Sequence, residues 1–269
     1  MEGKIGIIAG EGKFPFLVLR EAKRSGFHVA VAGIKGISSP ELEQEADSFL
    51  WINIGDVGKL VEFFIQNKIK KALLAGRVKH SSIYKELSPD PITEVLLKQL
   101  QDKKPTSIFR KLAEFLSSKG IEFIDSTIFL SNFLPKEGVL TKVNPSQRAF
   151  EDIEFGWEIA KNIAKMDIGQ TIVVKDKAVI AVEAMEGTDE TLKRGIALGG
   201  DGVVAIKVSR PEQDMRFDVP VVGLSTLNIL STVKNPVLCI EAEKTIFFDI
   251  EESIKFANER GISIIARKG

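Results

Sequence analysis

The stretch VEAMEGTDETLKRG, Val182 to Gly195, gathers Glu183, Glu186, Thr188 and Asp189 where the apolar run AVIAV hands over to a helical pattern. Like charges crowded at a strand end are costly unless a cation or a strong donor balances them. A hard cation such as Mg²⁺, held by one or two carboxylates and by substrate phosphates, supplies that balance. Glu186 and Asp189 are therefore candidate metal ligands. A plainer reading makes Thr188 a helix N-cap and has Asp189 offset the helix dipole. It leaves Glu183 and Glu186 unexplained.

The second dense stretch is KVSRPEQDMRFDVPVVG, Lys207 to Gly223. Lys207, Arg210 and Arg216 alternate with Glu212, Asp214 and Asp218, and two prolines fix the path into the apolar VPVVG. Lysine and arginine suit phosphate oxygens, and an aspartate beside them suits a metal or an activated water. Thr188, Lys207, Arg210 and Arg216 are thus candidate substrate contacts. Asp218 is a candidate for both catalysis and metal binding. A salt-bridged loop is the alternative.

Two glycine turns carry weaker signals. AGEGKFP puts Gly10 and Gly12 after the first apolar run, and LLAGRVKH puts Gly76, Arg77 and Lys79 after another. Such turns let backbone N–H groups or basic side chains face an anion at the strand ends of an open α/β sheet. They are equally consistent with tight turns and a solvated basic loop, and His80 reads as a loop histidine. An oxidoreductase with a bound dinucleotide is disfavoured. Pro15 stands where the third glycine of the fingerprint belongs, and no acid closes the second strand at AGIKG.

These residues need elements to hold them. KIGIIAG, HVAVAG, SFLWINIG, KKALLAGRV and IEFIDS read as short strands alternating with amphipathic helices, the pattern of a doubly wound α/β sheet. LPKEGVLTKVNPSQ, with its prolines and glycine, reads as a linker. After it come a long helix from Arg148 and TIVVKDKAVIAVEA, two strands joined by a tight Lys-Asp-Lys turn. GVVAIKVS, VPVVG and VLCIEAEKTIFFD add strands to a mixed sheet, with further helices between them and after. TIFLSNFLP, Thr127 to Pro135, is either a last core helix of the first half or an apolar wall.

Composition narrows the classes. The 269 residues are 44% hydrophobic, enough for a sizeable core, and their 37 basic and 37 acidic residues cancel. No basic surplus points to nucleic acid. Two histidines exclude a three-histidine zinc site, and the single Cys239 excludes an intrachain disulfide. Neither a signal-peptide core nor an apolar run of about 20 residues is present. The expectation is a soluble, cytoplasmic protein.

Six segments, IGIIAGEGKFP, LLAGRV, LTKVNPSQ, MDIGQTIVV, VIAVEAMEGTDETLKR and PEQDMRFDVPVVG, resemble in order the motifs of the LpxI family, over nearly the whole chain. Members are UDP-2,3-diacylglucosamine pyrophosphatases of lipid A biosynthesis in Gram-negative bacteria. The resemblance implies an N-terminal Rossmann-like domain (1–132), a linker (133–144) and a C-terminal catalytic domain (145–269), with the diacyl sugar phosphate held between the domains. It implies a Mg²⁺-dependent hydrolysis that releases UMP and lipid X, 2,3-diacylglucosamine 1-phosphate. The essential aspartate of the R-x-D-x-P motif would be Asp218, and Lys142, Gln170 and Gln213, within matched segments, would join the substrate-binding residues. Gly10-Glu11-Gly12 departs from the Gly-Gly-Gly of many relatives. A two-chain lipid substrate implies transient contact with the cytoplasmic membrane face, with TIFLSNFLP or FPFLVL lining an acyl groove. The sequence leaves homodimerisation open. The rival reading is a non-catalytic lipid- or nucleotide-binding module.

Overall fold

The computed structural model describes residues 3–78, 87–102 and 105–269. The chain divides into two compact units: Met1–Leu130 with Asp214–Phe217, and Ser131–Gln213 with Asp218–Gly269.

The first unit is built on a parallel sheet of order β3-β2-β1-β4-β5, from β1 (Lys4–Ala9), β2 (His28–Ile34), β3 (Ser48–Ile52), β4 (Lys71–Ala75) and β5 (Glu122–Phe123). Among the described residues five helices accompany it: α1 (Phe14–Arg24), α2 (Leu42–Glu45), α3 (Val57–Gln66), α4 (Pro91–Lys98) and α5 (Pro105–Ser118). The continuous apolar runs of β1 and β2 follow from burial on both faces. Ile8, Ala30, Ala32 and Leu74 pack against Leu60 and Phe64 of α3 and Leu116 of α5. On the opposite face α1 buries Val18, Leu19 and Ala22. The sheet is doubly wound, as the alternation of strands and helices requires.

Residues 214–217 belong to this first unit although they follow from the second. Phe217 stacks on Phe109 and Phe123, with ring centroids 6.2 and 5.6 Å apart. The Ser126 N–H donates to Met215 O at 3.2 Å, and Ser126 Oγ lies 3.1 Å from Arg216 O.

The second unit holds a six-stranded mixed sheet, order β6-β13-β11-β9-β7-β8, and a two-stranded parallel pair, β10-β12. Its elements are β6 (Gly138–Val139), α6 (Gln147–Lys165), β7 (Thr171–Lys175), β8 (Ala178–Val182), α7 (Thr188–Gly199), β9 (Val204–Lys207), β10 (Val221–Val222), α8 (Leu224–Leu230), β11 (Val237–Glu241), β12 (Ile246–Phe247), α9 (Ile250–Glu259) and β13 (Ser263–Arg267). Residues 133–144, read from sequence as a linker, contribute β6, which pairs antiparallel with β13. TIFLSNFLP forms no long helix. It holds a single 3₁₀ turn, Ser131–Phe133, while Leu130 is buried and Phe129 meets Phe27 edge-on at 5.1 Å.

The β7–β8 hairpin closes through Asp176 and Lys177, both at positive φ (55° and 57°). Non-glycine residues rarely hold that conformation. Here the buried carboxylate of Asp152, on α6, accepts the N–H of Lys177 at 2.6 Å and that of Asp176 at 3.2 Å. Helix α6 also supplies Lys161, whose ammonium donates to both oxygens of the buried Glu241, at 3.0 and 2.9 Å, and to Ser209 O at 3.0 Å.

Candidate active site

One edge of the second sheet collects the functional side chains. Because β7 runs antiparallel to β8 and β9, its start lies beside their ends: Thr171 pairs with Lys207, and Ile172 with Val182. Gln170, Glu183 and Lys207 therefore arrive together. Glu241, at the end of β11, reaches the same edge and accepts the N–H and Oγ of Ser209 at 2.7 and 2.8 Å. Ser209 leads directly into the charged loop.

A single hydrogen-bonded chain runs through these residues. Lys207 Nζ donates to Thr188 Oγ1 at 2.7 Å, Thr188 Oγ1 donates to Glu183 Oε1 at 3.0 Å, and Glu183 Oε2 accepts the Gln170 N–H at 3.3 Å. The Gln170 side chain then donates through Nε2 to Asp218 Oδ2 at 3.0 Å. Arg210 Nη1 also bonds Asp218 Oδ2, and Arg210 Nε lies 2.9 Å from Asp167 Oδ1, close enough for an ion pair although misaligned for a hydrogen bond. Gln213 closes the loop on itself, accepting the Arg210 N–H at 2.8 Å and donating to Asp218 O at 2.6 Å. Asp218 is thus fixed through one oxygen. Among the described residues no donor reaches its Oδ1.

The electrostatics centre on Lys207, which is buried. Burial pulls its ammonium below the ordinary lysine value, while the charges of Glu183, Asp218 and Asp189 pull it back up. A cation inside three carboxylates answers the charge crowding that the sequence raised, but the acid beside it is Glu183 rather than Glu186. Glu186 turns away: Arg194 Nη2 donates to its Oε1 at 2.5 Å and the Ala184 N–H to its Oε2 at 3.1 Å. Its own backbone N–H first, and then the Ala184 N–H and Arg194, hold its carboxyl below the usual carboxylate range.

Thr188 is not a cap. The N-cap of α7 is Gly187, at φ +86°, with no side-chain capping bond; the Thr188 hydroxyl is taken by Glu183 and Lys207 instead. Asp189 sits exposed in the first turn of α7, where an acid offsets the helix dipole.

Among the described residues no three carboxylate, imidazole or thiolate groups converge as a metal cage. Magnesium does not require one, being held by one or two carboxylates together with substrate phosphates and waters. Asp218, with one oxygen lacking a chain partner, fits that shared mode. So does the shielded Gln170 Oε1, an amide oxygen that no donor of the described residues satisfies. Glu186, committed to Arg194, does not fit.

The remaining candidates fall elsewhere. Arg216, in the first unit, forms a two-pronged pair with Asp214 at 2.9 and 2.8 Å and lies over the Phe217 ring. Lys142 has an exposed side chain, and its N–H donates to Asn258 Oδ1 at 2.7 Å. The two glycine turns of the first unit are stapled to each other: the Gly10 and Glu11 N–H groups donate to Ala75 O and Arg77 O at 2.7 and 2.8 Å. A Cβ at Gly10 would lie 2.7 Å from Arg77 O, and one at Gly76 2.8 Å from Glu11 O. Close backbone approach explains both glycines without a ligand. Gly12, at φ +98°, faces open space. Lys79 and His80 lie outside the described residues. Sequence reasoning passed over Asp152, Lys161, Asp167 and Glu241; the only local signal was a Glu ending the apolar VLCIE.

The N-terminal domain of LpxI matches residues 4–133 and the LpxI C-terminal domain residues 136–265. The chain is 27% identical, over 97% of its length and 96% of the relative's, to UDP-2,3-diacylglucosamine pyrophosphatase LpxI of Caulobacter vibrioides. Among solved structures, an ADP complex of the N5-carboxyaminoimidazole ribonucleotide synthetase purK is 13% identical over 73% of this chain and 35% of its own, with a TM-score of 0.30. An ADP-bound biotin carboxylase domain of a 2-oxoglutarate carboxylase is 15% identical over 64% and 35%, with a TM-score of 0.29. Likeness that slight says nothing of chemistry. The two domain matches, which run almost end to end, do: the chain belongs to the LpxI family.

Proposed function

We propose that this protein hydrolyses the pyrophosphate bond of UDP-2,3-diacylglucosamine, releasing UMP and lipid X in lipid A biosynthesis. The carrying observation is Asp218, clamped through Oδ2 by Arg210 and Gln170 with Oδ1 left without a chain partner, in a chain matched along its length by a relative of that activity. Oδ1 takes a proton from the attacking water as one bridging P–O bond breaks and the water oxygen stays on phosphorus. Lys207, beside Thr188 at the start of α7, offsets the phosphate charge, aided by the helix dipole. Mg²⁺ is part of the proposal: held chiefly by the substrate phosphates, with the unsatisfied Gln170 Oε1 and the Asp218 carboxylate beside it, it would neutralise charge on the diphosphate. On this reading the two-chain substrate is met at the cytoplasmic membrane face; no helix among the described residues is long and apolar enough to cross a membrane.

The test is UMP release from UDP-2,3-diacylglucosamine, with Mg²⁺ and with EDTA, for wild type and Asp218→Ala. Losing a catalytic carboxylate costs at least ~3 kcal/mol of transition-state stabilisation, about 10²-fold in rate. Mg²⁺-dependent release that collapses in the mutant is expected. No release from folded wild type would leave a binding module; near-normal release from the mutant would remove Asp218 from the mechanism.

A further inference from the structure

Helices commonly leave their last turn through a residue in the left-handed region, where glycine is the usual choice and asparagine the next. Helices α1, α5 and α9 use Gly26, Gly120 and Gly261, and α3 uses Lys68, whose charge suits the negative end of a helix. Helix α6 uses Asp167, at φ 60°. The turn itself is regular: the Asp167 N–H donates to Ala164 O at 3.1 Å and the Ile168 N–H to Ile163 O at 3.3 Å. Aspartate tolerates this conformation better than most side chains. Glycine or asparagine would serve without setting a carboxylate at the negative end of a 19-residue helix.

Stability does not explain the choice. The Asp167 side chain is more than half exposed, and ion pairs so exposed contribute little. What its carboxylate does hold is Arg210. Oδ1 lies 2.9 Å from the shielded Nε, while Nη1 of the same guanidinium bonds Asp218 Oδ2. A guanidinium is a rigid planar fork, so gripping the Nε edge sets the direction of Nη1. We infer that Asp167 is a positioning residue for the hydrolysis, an inference that rests on the proposed activity: it aims Arg210 at Asp218 Oδ2 and so keeps Oδ1 turned toward the attacking water. Asp167, Arg210 and Asp218 all belong to the second unit.

Misplacing a catalytic group by about 1 Å can cost about 10²-fold in rate. Gln170 still holds Oδ2 when Asp167 is removed, so the loss should be smaller. Asp167→Gly and Asp167→Asn, both at home in the turn, should keep a Tm no lower than wild type. Each should lower kcat about tenfold and leave KM within about twofold. In an Arg210→Ala background neither should lower kcat further, because Asp167 acts through Arg210. A probe independent of turnover is NMR of the Arg210 guanidinium, assigned by its loss in Arg210→Ala. Clamped at two edges in wild type, its Nη nitrogens should give separate signals, which merge in either Asp167 variant. Folded Asp167 variants with wild-type kcat overturn the inference, as does an equal fall in kcat with Arg210 already removed. So do merged Nη signals in wild type, which decide the matter even if the variants misfold. If wild type releases no UMP, the proposed activity fails, and the NMR result still reports whether Asp167 holds Arg210.

Discussion

Removing the ammonium of Lys161 tests how the loop bearing Asp218 is anchored. Glu241 is 3% exposed and accepts four close hydrogen bonds: Lys161 Nζ on each oxygen, and the N–H and Oγ of Ser209. Breaking a buried ion pair from one side typically costs 3–5 kcal/mol, because the remaining charge is uncompensated. Here the two Ser209 donors survive, and half-exposed Lys244 lies 3.8 Å away, so the lower end applies. Lys161→Met should cost about 3 kcal/mol, a fall in Tm on the order of 10 °C. Neutralising the partner as well, in Lys161→Met/Glu241→Gln, removes the buried charge and should return at least half of that loss. The assay is urea unfolding of wild type, both single variants and the double, read at constant m-value. A Lys161→Met protein within about 0.5 kcal/mol of wild type, or singles that simply add in the double, would refute the account.

Four further outcomes follow from the same contacts. Asp152→Ala strips two backbone N–H groups of a charged acceptor and should lower the unfolding free energy by about 3 kcal/mol in denaturant titration. Gly10→Ala drives a Cβ against Arg77 O and should lower Tm clearly more than Gly12→Ala, which meets only an unfavourable φ in open space. Burial pushes the Cys239 thiol up to about 12, so a thiol reagent at pH 8 should react only after unfolding. The same raised value makes stability fall as pH climbs above the ordinary value of 9.0, because the unfolded chain then releases a proton that the folded chain keeps.

Periodicity and turn chemistry made much of this architecture readable. Apolar runs such as KIGIIA and HVAVAGI announce strands buried on both faces, and the Lys-Asp-Lys turn announces the β7–β8 hairpin. The crowding of Glu183 beside Thr188 and Asp189 pointed to the sheet edge where Lys207, Gln170 and Asp218 also gather. Choosing between Glu183 and Glu186 was beyond local pattern, because it depends on Lys207 and Arg194 arriving from other elements. Lys161 and Glu241 are 80 residues apart, and Asp152 meets the hairpin turn from 25 residues upstream. Nothing beside each residue names its partner. The glycines of AGEG and LLAG left two readings open for a related reason: a turn that approaches a phosphate and a turn that approaches another turn make the same demand on the chain.

The four residues Asp214–Phe217 also bear on how this molecule can be divided. A cut between the two family domains, near residues 133–136, looks clean on paper. It would strand Phe217 away from Phe109 and Phe123, and Met215 away from Ser126. An N-terminal half borrowed from a relative would meet a foreign aromatic plug one residue before Asp218. The halves are therefore not interchangeable cassettes. A working chimera has to carry residues 214–217 with the N-terminal half, a splice set by contact rather than by chain order.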